Sequence, residues 1–424
     1  MSTEQNQPRE FDVVLGGETP PPLGGAVLGG IEGVKNRLAS TDIEAHITAL
    51  NEALNYGNIG IDFVIKELDS KSRRLRHHAA NLLQSRQEIK AKLALKNYKF
   101  WIGFEKLNGL PNRHVTTFAN RKVIEYDYNS SIITGDTLNT AFALRSHRWR
   151  SNSEGMDCAD KFKSLVKNYH RKGIEALVFG LWHGFNYNSS YHPVANALAE
   201  SKRSLKNLKA VFIGDIEDSE CMISSITQSN VTPILEAYPN LEVLKIRGDS
   251  GIYPRTSGLA FDPLRHNKLK ALIIESGGLR KETVNQICNL VLPELQYLEL
   301  WLGRDEYGGT SSIEDVMPII NGVFPKLKYL GLRNSEYSDD IATALVHSPI
   351  LDNLIELDFS MGTLGDEAAE ALLSCPKIHY LDTLDISENC LSDEMIQKLK
   401  QLDIEIIANG YQKDSEDRYC SVAE

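Results

Sequence analysis

The sequence predicts an α/β solenoid with a parallel sheet of about eight strands, preceded by a small all-α module. Three observations carry this expectation. A motif LxxLxL recurs eight times from residue 174 onward, amphipathic helical segments run between the copies, and a separate helical repeat occupies the N-terminal quarter. Units of this length stack because none covers its own apolar face alone.

The eight copies are IEALVF at 174, LKAVFI at 208, LEVLKI at 241, LKALII at 269, LQYLEL at 295, LKYLGL at 327, LIELDF at 354 and LDTLDI at 381. Their spacings of 34, 33, 28, 26, 32, 27 and 27 residues bracket the leucine-rich-repeat range and its longer variants. The last copy, LDTLDISENCL, fits LxxLxLxxNxL throughout, with Asn389 as the turn asparagine. Elsewhere Gly303, Ser335 and Gly362 stand in the asparagine's place, and Phe359 replaces a core leucine. Strands are expected near 176–179, 210–213, 243–246, 271–274, 297–300, 329–332, 356–359 and 383–386, each beside the next. Leucines at positions 1, 4 and 6 of a copy point inward, so Leu330→Ala should be costly. Positions 3, 5, 7 and 8 stand on the concave face, and Glu356→Gln there should be nearly silent.

In the N-terminal part AHITALNEA (45–53) recurs thirty residues later as LRHHAANLL (75–83), aligning Ala49 with Ala79 and Ala53 with Leu83. Between them GNIGIDFVIKELDS has Ile61, Val64, Ile65 and Leu68 at helical spacing. The reading is helix, glycine break, helix, polar turn, helix, over residues 31–105. Before it, LGGETPPPLGGAVLGG (15–30) lacks the lysine and hydroxyl of a phosphate-binding loop and any preceding strand, so residues 1–30 read as a flexible Gly/Pro-rich tether. Residues 106–173 read as a linker and cap, 174–410 as the repeats, and 411–424 as a disordered tail.

The net charge of −11 is unevenly spread: residues 1–150 hold 20 Lys/Arg against 16 Asp/Glu, and residues 151–424 hold 26 against 41. The polar N-terminus and the lack of a long apolar run predict a cytoplasmic protein without a membrane span. The six scattered cysteines suggest reduced thiols rather than bridges or a zinc site. No cofactor or metal is expected.

Two resemblances attach to these residues. The run LGGETPPPLGGAVLGGIEGVKNRLAS, with ALNEALNYGNIGIDFVIKELDS and HHAANLLQSR, resembles a leader module of cyanobacterial proteins, covering roughly 11–105. That resemblance implies a HEAT- or armadillo-like cap with no assigned chemistry. FIGDIEDSE, SNVTPILEAYPNLEVLKIRG, IIESGGL, LELWLGRDEYGG, YLGLRNSEY and MGTLGDEAAEALL are similar to an uncharacterised bacterial leucine-rich-repeat family with ribonuclease-inhibitor-like repeats, over about 113–407. It implies the fold and no activity, and it makes 113–150 the segment that covers the first repeat's open edge.

The concave register brings together Lys245, Arg247, Glu275, Tyr297, Glu299, Trp301, Tyr329, Arg333 and Asp358. Two readings stand: a ladder of ion pairs, or a polar frame around an exposed Trp301 flanked by Tyr297 and Tyr329, the composition of a binding hot spot. On the second, Trp301→Ala should abolish partner capture and leave the melting temperature nearly unchanged. The loops after three strands, holding Trp182, His183, Tyr253 and Tyr307, should form one rim. Catalysis finds little support, since His183 and His192 lack a paired nucleophile and arginines should hold Glu275 and Glu299 ionised. The expected function is therefore a non-catalytic scaffold that binds another protein through the concave face and loop rim. The basic segment 70–100 offers three uses: a nucleic-acid footprint, a solvated helix face, or internal docking on the acidic repeats.

Overall fold

The computed structural model describes residues 30–96, 105–127, 137, 139–146, 158–169, 173–181, 192–249, 258–410 and 418–422. The chain divides into two compact units at Lys66 and Glu67. Apart from Gly30, the expected tether lies outside the described residues.

The first unit is helical, with α1 (Gly30–Leu38), α2 (Ile43–Ala53) and α3 (Gly57–Glu67) joined by a short 3₁₀ turn at Leu54–Tyr56. Asp42 caps α2 by accepting from the Glu44 amide at 3.0 Å, satisfying one of the open donors of the first turn. Val34, Ala49, Leu50, Ala53, Ile61 and Val64 are buried, so the small residues at the middle of α2 face the interior as their spacing suggested. Gly60 has a physical reason: a Cβ there would fall 1.6 Å from the Ala53 carbonyl oxygen.

The second unit opens with α4 (Arg73–Gln84), capped by Ser72, and α5 (Ile89–Lys96). Among the described residues twelve strands follow in one sheet whose spatial order is the sequence order. They are β1 (Thr117–Phe118), β2 (Arg121–Glu125), β3 (Thr140–Leu144), β4 (Ala176–Phe179), β5 (Ala210–Ile213), β6 (Val243–Arg247), β7 (Ala271–Glu275), β8 (Tyr297–Gly303), β9 (Tyr329–Ser335), β10 (Glu356–Asp358), β11 (Thr383–Asp385) and β12 (Glu405–Ile407). Strands β4 to β11 are the eight motif copies, each parallel to the next. The sheet is longer than the motif count implies, because β1 to β3 extend it before the first copy and β12 after the last. β1 runs antiparallel to β2, and the other pairs are parallel.

The connecting helices are α6 (Cys158–Tyr169), α7 (His192–Glu200), α8 (Thr232–Ala237), α9 (Lys281–Cys288), α10 (Ile313–Ile320), α11 (Ser338–Leu345), α12 (Asp366–Leu373) and α13 (Asp393–Leu399). Their apolar faces and the inward leucines form one continuous core, with Leu298, Leu300, Leu330 and Leu332 fully buried in it. Asn389 donates to the carbonyls of Phe359, Ile386 and Ser387 and accepts from the Leu364 amide, stitching one turn to the preceding one. The expected disordered tail requires correction: residues 418–422 pack onto the repeats, with Cys420 and Val422 buried. Here buried apolar area and main-chain hydrogen bonds outweigh the freedom that a polar terminal sequence suggests.

Candidate functional site

Strand alternation turns Tyr297, Glu299 and Trp301 of β8 away from the leucine core, beside Tyr329, Gly331 and Arg333 of β9. Tyr297 and Tyr329 stack with centroids 3.9 Å apart and planes 2° from parallel. The Tyr297 hydroxyl donates to Glu299 at 2.5 Å, the Trp301 indole N–H donates to it at 2.8 Å, and Arg333 Nη1 adds a third bond at 2.8 Å. Gly331 leaves room for the Tyr329 hydroxyl, which donates to Asp358 at 2.8 Å; a Cβ on Gly331 would come within 2.7 Å of that hydroxyl. Two strands earlier, Glu275 receives Lys245 on one oxygen at 2.6 Å and Arg247 on the other at 2.8 Å.

Burial alone would raise the carboxyl pKa values, since it penalises charge. Arg333 instead holds Glu299 below the usual carboxylate range, and Lys245 and Arg247 do the same for Glu275. Asp358 is likewise lowered against its burial, by Lys106 and then Arg333. Asp385 on the next strand goes the other way, raised by burial and by the charge of Asp358. Glu275 and Glu299 are thus held ionised rather than sharing a proton.

The ion-pair ladder of the first reading is present, but the exposed hot spot of the second is not. Lys245, Arg247, Glu275, Tyr297, Glu299, Trp301, Tyr329, Arg333 and Asp358 are all buried, and Trp301 is 0% exposed. What covers them is the chain itself. Lys106 bonds Asp358 at 2.9 Å and lies over the Tyr329 ring, while Arg333 Nη2 donates to the Leu107 carbonyl at 2.6 Å. Further along the same segment, the Val115 amide donates to Asp215 at 3.1 Å, and Arg145 joins Asp215 to the Val115 carbonyl. The Asp218 amide donates to the Pro111 carbonyl, and the His114 ring lies within 3.8 Å of Asp215, Glu217 and Glu220. From the other end of the chain, Val422 packs with Ile223, Trp301 and Met361, and Leu107 lies against that cluster. Residues 105–118 and 418–422 therefore both seat on the concave side, and the expectation that Trp301→Ala would spare stability does not survive its burial.

Glu356, expected to be a tolerant surface position, is also buried: Arg76 of α4 reaches it at 2.6 Å and donates to the Ser70 and Lys71 carbonyls as well. One basic residue of the 70–100 segment is thus used for internal docking, and Arg86 is paired with Glu88. Of the loop residues, Tyr307 is half-buried, whereas Trp182, His183 and Tyr253 lie outside the described residues.

The sequence reading missed Lys106, Leu107, Arg145, Asp215, Asn334 and Val422. One signal was available for Asn334, its residue type at the eighth position of its copy: the structure shows left-handed backbone there, φ +49°, a conformation asparagine tolerates better than most residues. Residues 105–115 have neither helical nor strand periodicity, so their extended path across the sheet left no pattern to read.

No protein-family model matches the chain, and no curated protein is similar to it. Solved structures are similar to it, two of them as follows. An internalin from Listeria monocytogenes shares 17% identity over 59% of this chain and 57% of that one, with a TM-score of 0.30. A Bacteroides fragilis protein shares 30% identity over 64% of this chain and 74% of that one, with a TM-score of 0.58. With the consecutive parallel strands, the leucine core and the asparagine turn in place, this degree of identity and coverage makes the chain a leucine-rich-repeat solenoid that belongs to the family of the Bacteroides fragilis protein.

Proposed function

We propose that the protein is a non-catalytic scaffold or adaptor that binds another protein through the concave face and loop rim of its repeats. One observation carries the reading: the concave face already holds extended chain by its main-chain atoms. Arg333 bonds the Leu107 carbonyl, Arg145 the Val115 carbonyl, and Asp215 the Val115 amide. Preorganised charged groups that satisfy the main chain of one peptide are chemically suited to another. Partner contact begins at the rim, around Glu306 and Tyr307; Lys245, Arg247, Glu275, Tyr297, Glu299, Trp301, Tyr329, Arg333 and Asp358 are buried and meet a partner only where the chain segments that cover them give way. In this reading residues 31–105 are a HEAT-like cap, and the protein works in the cytoplasm.

A nucleic-acid adaptor using residues 70–100 is the second reading. It is less favoured, because Arg76 is buried on Glu356 and Arg86 is paired with Glu88. No helix among the described residues is long and apolar enough to cross a membrane.

A photo-crosslinker placed at Glu306, whose side chain is exposed, and separately at Glu370 on α12, tests the reading in lysate from the source organism. A nuclease-resistant protein adduct at Glu306 and none at Glu370 is the expected result. Equal adducts at both positions would remove the rim from the model, and loss of the adduct with nuclease would favour the nucleic-acid reading.

A further inference from the structure

Residues 418–422 are held in a way that the rest of the fold does not require. Cys420 and Val422 are buried while Arg418 and Tyr419 stay half-exposed, and three main-chain atoms are met from the repeats. Asn334 reads one residue twice: its Oδ1 accepts from the Val422 amide at 2.9 Å, and its Nδ2 donates to the Val422 carbonyl at 2.5 Å. The Ser421 amide donates to the Met361 carbonyl at 2.9 Å. An extended segment is thus held by its main chain, with the side-chain amide of Asn334 supplying two of the three bonds and the Met361 carbonyl the third.

Side chains add selectivity. Arg418 bonds Asp339 at 2.9 Å, Tyr419 lies under the Arg304 guanidinium at 4.1 Å, and Val422 fills a pocket with Trp301 and Met361. Asn334 and Met361 both carry left-handed backbone, at φ +49° and +68°, a conformation that side chains with a Cβ disfavour and that surrounding structure must hold in place. Glu388, at the same position of the next copy, is also left-handed at φ +55°, so this turn belongs to the repeat; what sets Asn334 and Met361 apart is that the side-chain amide of the one and the carbonyl of the other meet the main chain of residues 421 and 422.

We propose that this groove at the ends of β8 to β10 is a docking site for an extended peptide of pattern Arg-aromatic-small-any-aliphatic, filled in cis by residues 418–422. A partner protein's segment with the same pattern takes their place. The inference rests on the reading of the concave face as a peptide-holding surface and names the chemistry of what it holds. The outer contacts suit exchange, since Arg418 and Asp339 are 40% and 43% exposed and Tyr419 is 51% exposed. A tethered segment acts at an effective concentration on the order of millimolar, so a competitor in trans is discounted until the cis segment is weakened.

The test uses the full chain and a fluorescein-labelled peptide of residues 414–424, DSEDRYCSVAE, in reducing buffer, read by anisotropy. Val422→Asp, which weakens the cis segment, should bind the peptide saturably and about 10- to 100-fold more tightly than the wild-type chain. The double change Arg418→Ala with Tyr419→Ala leaves the buried residues in place and should act in the same direction. It carries the test alone if Val422→Asp fails to fold. Adding Asn334→Gly, which keeps the left-handed backbone and removes the amide, should abolish binding without changing circular dichroism. The proposal is overturned by an absence of saturable binding to the folded double variant, by equal affinity for variant and wild type, or by full binding to the Asn334→Gly chain. A rim adduct at Glu306 that persists alongside such a failure would leave the scaffold reading standing and remove only the groove.

Discussion

Trp301→Ala is the perturbation that most sharply separates a concave binding surface from an internal one. The indole is fully buried, and its N–H satisfies Glu299 at 2.8 Å. An aromatic side chain of this kind buries roughly 150–250 Å², worth about 4–6 kcal/mol at about 25 cal/mol per Å² as an upper bound, and measured truncations of Phe or Trp cost about 3–5 kcal/mol. We take about 4 kcal/mol. An unfolding entropy of about 2.1 cal/mol/K per residue over the roughly 360 residues of the second unit gives about 0.75 kcal/mol/K, hence a fall of about 5 °C in Tm if that unit melts as one. Trp301→Phe keeps most of the area and loses the hydrogen bond, so its fall should be a third to a half as large. Thermal melts followed by circular dichroism read both. A Trp301→Ala chain that melts within about 1 °C of wild type would refute the burial argument and return Trp301 to the surface.

Leu330→Ala, in the middle of the leucine core, should cost roughly 2–5 kcal/mol in a denaturant titration, with the larger value if the neighbouring leucines fail to close the gap. Glu356→Gln, which removes the 2.6 Å anion of buried Arg76 and leaves it only Asp382 at 4.0 Å, should destabilise by up to about 3–5 kcal/mol, while the double change Arg76→Met with Glu356→Leu should come back close to wild type, because a buried pair contributes little over an apolar replacement. Asp385 has a raised folded pKa, so its ionised form is disfavoured in the fold and wild type loses stability as pH rises from 3.8 through that higher value. Asp385→Asn should therefore gain Tm relative to wild type at pH 8 and gain nothing at pH 3.5; an equal gain at both would show that charge is not the cause. Glu275 and Glu299 have lowered values, so the stability they contribute is present above 4.5 and lost as pH falls below it. Replacing Glu275 by Gln should accordingly flatten the acid limb of a plot of Tm against pH.

The repeat fold was legible because its signal is redundant. Each strand announces itself by leucines at three fixed positions, and an error in one copy is corrected by its neighbours, as at Phe359, which fills the leucine site and is fully buried. The flanking strands β1 to β3 were not legible as strands for the opposite reason, since RKVIE and TAFAL lack the three-leucine spacing; only the family resemblance placed residues 113–150 on the first repeat's open edge, where β3 pairs with β4. The candidate face was half legible. The register named the right side chains, including the pairing of Arg247 with Glu275, but periodicity reports which way a residue points and not what lies on top of it. Burial of Trp301 depends on Leu107 and Val422, roughly 190 and 120 residues away in sequence, and contacts of that range have no local trace.

The composition of the covered face is not what stability alone would select, and it agrees with the binding role proposed above. Ionised Glu275, Glu299, Arg247 and Arg333 are removed from water, and desolvation of such groups offsets much of their mutual attraction, so well-packed apolar residues would hold the sheet at least as firmly. What apolar residues could not do is meet the main-chain atoms of an arriving segment. Arg333 illustrates the point: its guanidinium is fixed by Glu299 and Ser360, and this leaves Nη2 aimed at the Leu107 carbonyl. Asn334, the next residue, holds Val422 by both of its main-chain groups. Two adjacent residues of one strand therefore grip two chain segments some three hundred residues apart in sequence, and they do so through backbone atoms that every peptide possesses. On the reading proposed above, such a face would discriminate by the side chains at its margins, Asp339 and Arg304 among them, and a change of partner preference would be sought there first.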